Sequence, residues 1–202
     1  MAIRALRTLI PVEVLAVIAI AFAQLPLGVP IAIPLLIIAS LSRWLRGRSW
    51  REVISANSTR ALALGLLAGV IALAVATPLI GAFHATAVEW WLVPAVHGET
   101  PQVLLAIAHA IVTAAALELA LRGWILERAW ELSPGPAALP IAVAAGAEAL
   151  LHEGPIAARI GAALFGAGLG LLHVGCQRSV LAPIAARAAF TGGAIVVELL
   201  RA

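Results

Sequence analysis

Eight ionisable or hydroxyl-bearing side chains interrupt segments of the chain that are otherwise apolar. Carboxylates and imidazoles of this kind can activate a water molecule or bind a metal ion. If the segments cross a membrane, each charge at mid-membrane depth costs about 2.5–3.5 kcal/mol on lenient insertion scales, so such residues usually face the bundle interior and have partners. The set consists of His109, Glu118, Glu148, His152, His173, Arg187, Thr191 and Glu198.

The composition indicates that these segments lie in a membrane. Of the 202 residues, 63% are hydrophobic and only 11% are charged, and the mean hydropathy is +1.07. Apolar runs recur along the whole chain, which favours a bundle of several spans over a soluble domain. The basic residues are all arginines that flank these runs without forming one basic face, so the net charge of +3 indicates membrane topology and not nucleic-acid binding.

We predict an all-α, polytopic transmembrane helix bundle of about seven spans. Residues 1–60 form an N-terminal helical hairpin followed by an arginine-rich cytoplasmic linker, and residues 61–202 form the transmembrane core. The linker, 42–60, holds five arginines and two tryptophans, which is typical of a membrane surface, and 81–100 is an interfacial segment on the opposite face. The predicted spans cover residues 9–25, 29–41, 61–80, 101–121, 137–151, 158–172 and 180–199.

The distribution of arginines predicts the orientation of the bundle. Ten arginines fall on the side of the linker, whereas Arg159 and Arg201 fall on the other side. Because positive charge accumulates in cytoplasmic loops, the linker side is predicted to be cytoplasmic, with the N-terminus on the same side. We therefore expect a multi-pass protein of a bacterial-type inner (cytoplasmic) membrane.

Three short motifs carry a family resemblance. They are LELALRGWIL around Glu118, EALLH at 148–152 and LAPIAARAAFT at 181–191, in this order over roughly residues 100–200. The motifs resemble Glu-Glu-x-x-x-Arg, Phe-x-x-x-His and His-x-x-x-Asn, the signatures of the CPBP (CAAX-protease and bacteriocin-processing) family of intramembrane metalloproteases, which includes type II CAAX prenyl endopeptidases. The resemblance implies a CAAX-protease-like core in the last four spans.

Several positions depart from the family pattern. The resemblance implies that the first Glu activates a water molecule, that the histidines hold a metal or polarise the scissile carbonyl, and that the Asn helps to hold the oxyanion. In this chain, Leu117 stands at the position of the first Glu, and Arg187 and Thr191 stand at the positions of the third motif's His and Asn. A guanidinium has no lone pair to offer a metal, so Arg187 cannot replace a histidine ligand.

Other positions of the pattern are retained. Glu118 matches the second Glu, Arg122 the Arg and His152 the histidine of the second motif, whereas Glu148 replaces its Phe. Glu118 and His152 are therefore the family-equivalent catalytic positions. The resemblance implies zinc as a cofactor only if the site is active.

The replacements suggest a structural polar network in place of a reactive site. Because the family fold would place Glu148 near Arg187, we expect an ion pair or hydrogen-bonded network of these residues with Arg122, Thr191 and Glu118. This interpretation predicts a pseudoenzyme that acts as a non-catalytic scaffold or accessory subunit of a membrane complex. Its expected partners are the lipid bilayer and other membrane proteins, with no nucleic acid.

Three alternatives remain open from the sequence. The protein could be an active intramembrane endopeptidase that uses Glu118 and His152 in an altered geometry. It could instead bind a pigment or haem through His109 or His173, because a neutral imidazole on a helix of small residues suits an axial ligand. In the simplest interpretation, Glu118 and Arg122 form only a snorkelling salt bridge at the cytoplasmic end of a helix.

Overall fold

The computed structural model describes residues 31–54, 58–82, 100–152 and 154–201, together with 12–20 except 14 and 18. Most of the first predicted span, 9–25, and of the predicted interfacial segment, 81–100, lie outside these residues. Throughout the described ranges the regular structure is helical, without a β-strand, which confirms the all-α prediction.

Seven α-helices are defined within the described ranges. A 3₁₀ turn, Trp50–Glu52, lies between the first and second of them, and a π-helical segment, Leu121–Leu126, joins the third to the fourth. The α-helices are α1 (Ala32–Leu45), α2 (Ser58–Ala82), α3 (Thr100–Ala120), α4 (Glu127–Leu132), α5 (Ala138–Leu151), α6 (Ile156–Gly175) and α7 (Leu181–Arg201).

Within the described ranges, four helical stretches are long and apolar enough to cross a membrane: Ser58–Pro78, Pro101–Leu132, Ile156–Gly175 and Leu181–Leu200. Helices α1 and α5 are apolar but shorter. Large apolar side chains such as Leu67, Leu105 and Leu164 are exposed on the outside of these stretches, as expected for helices that face lipid. The described part of the chain is thus a helical bundle with four candidate membrane spans and two shorter apolar helices, as a multi-pass membrane protein would have.

Small residues allow close packing between the helices. Helix α7 packs against both α2 and α3, and α5 packs against α6. Between α2 and α7, a Cβ added at Gly65 would lie 2.8 Å from the Cβ of Ala185, and one added at Gly69 would lie 2.9 Å from that of Ala189. Van der Waals contact through small residues is a main source of helix association in lipid, so these glycines fix the α2–α7 distance.

The longest candidate span continues past the predicted end of its helix. We expected the span to end at residue 121, with Arg122 in a surface segment, but helical structure extends through the π segment and α4 to Leu132. Arg122 is consequently internal to the span and fully buried, as is Glu118. The interpretation of this pair as a snorkelling salt bridge at a helix end is therefore wrong, because neither side chain reaches the surface.

Candidate functional site

The centre of the bundle contains a cluster of two carboxylates and two guanidiniums. Glu118 lies in the last turn of α3 and Arg122 lies in the π segment, whereas α5 provides Glu148 and α7 provides Arg187. A π-helical segment inserts one extra residue into a helix and frequently occurs at functional sites, where it changes the direction of side chains. Three parts of the chain that are distant in sequence, the α3–π junction, α5 and α7, thus converge on one polar cluster in an apolar interior.

Each guanidinium of the cluster contacts both carboxylates. Arg122 donates from Nη1 to Glu118 Oε1 at 3.2 Å and from Nη2 to Glu148 Oε2 at 2.7 Å. Arg187 donates from Nε to Glu118 Oε1 at 2.5 Å and from Nη2 to Glu148 Oε1. Two positive and two negative charges therefore form a neutral, cyclic arrangement.

The surroundings of the cluster are tightly closed. The side chains of Glu118 and Arg122 are 0% exposed, and those of Glu148 and Arg187 are 8% and 13% exposed. The carbonyl oxygen of Gly166 accepts a further hydrogen bond from Arg122 Nη2 at 2.5 Å, and a Cβ at this glycine would lie 3.1 Å from the same nitrogen. Because both Glu148 Oε2 and Arg122 Nη2 approach the α6 backbone so closely, only glycine fits at position 166 without displacing the cluster.

An aromatic pair covers Arg187. Its guanidinium carbon lies 5.3 Å from the ring centroid of Phe165, which stacks on Phe190 at a centroid distance of 4.6 Å. Cation–π attraction adds to the ion pairs when the cation is removed from water. Two buried polar atoms of the cluster, Glu118 Oε2 and Arg122 Nε, have no hydrogen-bond partner among the described residues.

The structure brings together four of the residues that the sequence singled out, namely Glu118, Arg122, Glu148 and Arg187. Thr191 lies one helical turn beyond Arg187 and is half-buried. His152 is half-buried at the C-terminal end of α5, where its backbone N–H donates to the carbonyl of Glu148 at 3.0 Å.

Leu117 contacts an apolar part of the bundle. Its half-buried side chain packs against a cluster that includes Leu35, Ala39 and Trp124, whereas the neighbouring Glu118 contacts the guanidiniums. Adjacent helical residues point about 100° apart, which accounts for this separation. A carboxylate at position 117 in this conformation would therefore enter hydrocarbon surroundings.

The two candidate axial ligands occupy different environments. His109 is exposed on α3. His173 is 0% exposed, its Nε2 lies 3.1 Å from Glu127 Oε1, and its Nδ1 has no partner within the described part of the chain. A metal bound through Nε2 of His173 would have to displace Glu127, a residue that our sequence analysis did not select.

A metal ion does not fit the central cluster. The resemblance implies metal-holding histidines, but one of those positions is Arg187, and both carboxylates are bound by guanidiniums. In the described ranges, His, Cys, Asp and Glu side chains form no group of three or more that could hold a metal ion. A divalent cation here would adjoin two fixed positive charges, which disfavours its binding.

A second set of polar contacts, which sequence reasoning missed, joins α1 to α4 at the arginine-rich end. Glu131 accepts from Arg46 Nη1 at 2.8 Å and from Arg128 Nη1 at 3.0 Å, and Arg128 also donates from Nε to Glu13 Oε2 at 2.8 Å. Burial lowers the pKa of Arg46, although the charge of Glu131 opposes this shift. The i, i+3 spacing of Arg128 and Glu131 was the only local signal for these contacts.

Serine and tryptophan side chains extend the same contacts. Ser42 donates from Oγ to Glu13 Oε1 and accepts from Trp124 Nε1 at 2.9 Å.

The 3₁₀ turn contains a capping box formed by Ser49 and Glu52. The Ser49 backbone N–H donates to Glu52 Oε1 at 2.7 Å. This hydrogen bond holds the pKa of Glu52 below its ordinary value.

Comparison with protein-family models, with curated protein sequences and with solved structures finds no match to this chain. The resemblance to the CPBP family thus rests on the three sequence motifs alone and stays a prediction.

Proposed function

We propose that this chain is a catalytically inactive, CPBP-like membrane protein that serves as a scaffold or accessory subunit of a membrane complex. The observation that carries the proposal is that Arg122 and Arg187 bind both carboxylates of the central cluster. A general base must have an accessible lone pair next to the water molecule that it activates. Glu118 instead accepts two charge-assisted hydrogen bonds on Oε1, and its Oε2, which has no partner among the described residues, is buried away from solvent.

The position of Leu117 supports the same proposal. The family resemblance assigns water activation to this position, and here it holds a hydrocarbon side chain packed against apolar neighbours. Arg187, at the position of a histidine, neutralises the carboxylates and leaves no ligand for a metal. The cluster therefore suits a structural role, in which it fixes the relative positions of α3, α5 and α7.

A peptidase assay tests the inactive state. The purified full chain in proteoliposomes is mixed with fluorogenic prenylated CAAX-type peptides and with unprenylated peptides, and Glu118→Gln is the matched control. We expect equal background rates for both proteins. Cleavage by the wild type that Glu118→Gln abolishes would refute the proposal in favour of an active endopeptidase.

A second measurement tests the accessory role. Cross-linking in native membranes, followed by mild-detergent extraction and mass determination, should recover the chain with another membrane protein at a fixed stoichiometry. Recovery solely as a monomer, with and without cross-linker, would contradict this part of the proposal.

An absorption spectrum of the same preparation tests for a bound pigment or haem. A visible absorption band that is lost in His109→Ala or His173→Ala would indicate that this histidine is an axial ligand.

A further inference from the structure

A cavity at the arginine-rich end of the bundle is separate from the central cluster. It has a volume of about 430 Å³ and opens between residues 46–54, α4 and the turn that follows α6. This volume lies in the range of small-molecule sites. Its charged lining consists of Arg43, Arg48, Arg178, Glu52, Glu127 and Glu131.

Each carboxylate that lines this cavity already has an arginine partner. Glu52 accepts from Arg48 Nη1 at 3.1 Å, and Glu127 accepts from Arg178 Nε at 2.8 Å and from its Nη2. Glu131 is bound as described above. The ion pairs in and next to the cavity involve equal numbers of arginines and glutamates, so their charges cancel. The residues are Arg46, Arg48, Arg128 and Arg178 with Glu13, Glu52, Glu127 and Glu131.

Arg43 is an additional cation that forms no ion pair with a carboxylate in the described part of the chain, although the charges of Glu52 and Glu127 attract it from a greater distance. It is 5% exposed, and it donates from Nη1 to the carbonyl of Gly123 at 2.8 Å and from Nη2 to that of Ser49 at 2.5 Å. Its guanidinium carbon lies 4.7 Å from the ring centroid of Trp50, and its buried Nε has no hydrogen-bond partner within the described ranges. Burial of this charge is only partly offset by the distant carboxylates, so an anion in direct contact with the guanidinium would stabilise it further.

We propose that this cavity binds a phosphate-bearing anion, with Arg43 as its counter-ion. A guanidinium recognises phosphate oxygens through charge-assisted hydrogen bonds. The turn that closes the cavity holds Gln177 and Arg178 at φ angles of 57° and 62°, a left-handed conformation that is uncommon for residues other than glycine and is often found at ligand sites. The phosphate is that of an anionic lipid headgroup or of a free phosphate compound.

Two probes distinguish these sources. The delipidated full chain in detergent is titrated with phosphatidylglycerol, and with phosphatidylcholine as the zwitterionic control, and native mass spectrometry counts the lipids bound per chain. In parallel, ³¹P NMR line broadening measures the binding of inorganic phosphate. Retention of phosphatidylglycerol alone identifies a lipid headgroup, whereas saturable broadening by inorganic phosphate identifies a free anion.

Variants of matched charge test the role of Arg43. Arg43→Gln should weaken binding about tenfold or more, because a charged hydrogen-bond donor is lost. Arg51→Gln removes the same charge from an exposed neighbour outside the cavity lining and should leave the affinity unchanged. Equal affinities of these two variants, or no saturable binding of either probe by the wild type, would overturn the proposal.

Gln177 provides a test that preserves the contacts of Arg43. Its exposed side chain lines the cavity, so Gln177→Glu and Gln177→Lys change the charge at the rim in opposite directions. We expect the first to weaken and the second to strengthen binding of the probe that the wild type retains. If Arg43→Gln does not fold, equal affinities of the two Gln177 variants would refute the proposal.

Discussion

Removing Arg187 should leave the central cluster with one uncompensated negative charge. Glu118 and Glu148 would then share Arg122 as their single cation. Glu148→Gln has the opposite effect, because Arg122 and Arg187 would share Glu118 and the cluster would carry one excess positive charge. Breaking a buried ion pair by removing one partner typically costs about 3–5 kcal/mol. We expect a loss of this size in the free energy of unfolding for Arg187→Met and a comparable loss for Glu148→Gln.

The double variant Arg187→Met with Glu148→Gln should recover part of this loss. It retains Arg122 and Glu118, an ion pair at i, i+4 with no net charge. The double variant should therefore be less destabilised than the sum of the single variants by about 1–3 kcal/mol. Arg122→Met with Arg187→Met is the matched control, because it leaves two carboxylates without a cation and should be the least stable variant.

Unfolding in mixed detergent micelles, followed by tryptophan fluorescence, would give these free energies for each variant. The expected order of stability follows the residual charge of the cluster and not the number of residues replaced. If the losses from Arg187→Met and Glu148→Gln add to within about 0.5 kcal/mol, the two residues act independently and the reasoning from charge balance is refuted.

Three further predictions concern packing and the 3₁₀ turn. Gly166→Ala should cost about 1–3 kcal/mol by overpacking the central cluster, whereas Gly168→Ala on the same helix meets no atom within 4 Å and should not destabilise; thermal unfolding compares the two. Gly69→Leu should separate α2 from α7 and lower the unfolding temperature, and an unchanged value would contradict the close contact there. Because the pKa of Glu52 is depressed in the folded chain, the capping box stabilises its turn fully at pH values above the ordinary carboxyl pKa of about 4.3. This stabilisation is lost as the pH falls from that value through the depressed pKa. Amide-exchange protection of Ser49 should decrease over this range in the wild type, and Glu52→Gln should show no such pH dependence.

The positions of the helices follow largely from hydropathy. The predicted spans 61–80 and 180–199 correspond to Ser58–Ala82 and Leu181–Arg201, because long apolar runs must satisfy their backbone hydrogen bonds internally. The end of α3 was predicted wrongly for a physical reason. Arg122 was taken as a boundary because it is charged, but its partner Glu148, 26 residues away, offsets the cost of burial and the helix continues.

The candidate site was predictable in its residues and less so in its contacts. The motif resemblance selected Glu118, Glu148 and Arg187. The expectation that they pair came from a second argument, namely that an isolated charge in an apolar run requires a partner. The contact of Arg128 with Glu13 spans 115 residues, and no periodicity or motif relates the two. Arg43 was likewise assigned to a surface linker, whereas two backbone carbonyls hold its side chain in the interior.

The continuity of α3, the π segment and α4 also constrains how the bundle can move. One unbroken rod carries Arg122 at the central cluster and Arg128 at the arginine-rich end, where each is bound to partners on other helices. Turning this rod about its axis would strain both sets of ion pairs at once. The two polar regions lie about a turn and a half apart along the rod, so a rotation of the rod at one region would also displace the ion-paired arginine at the other.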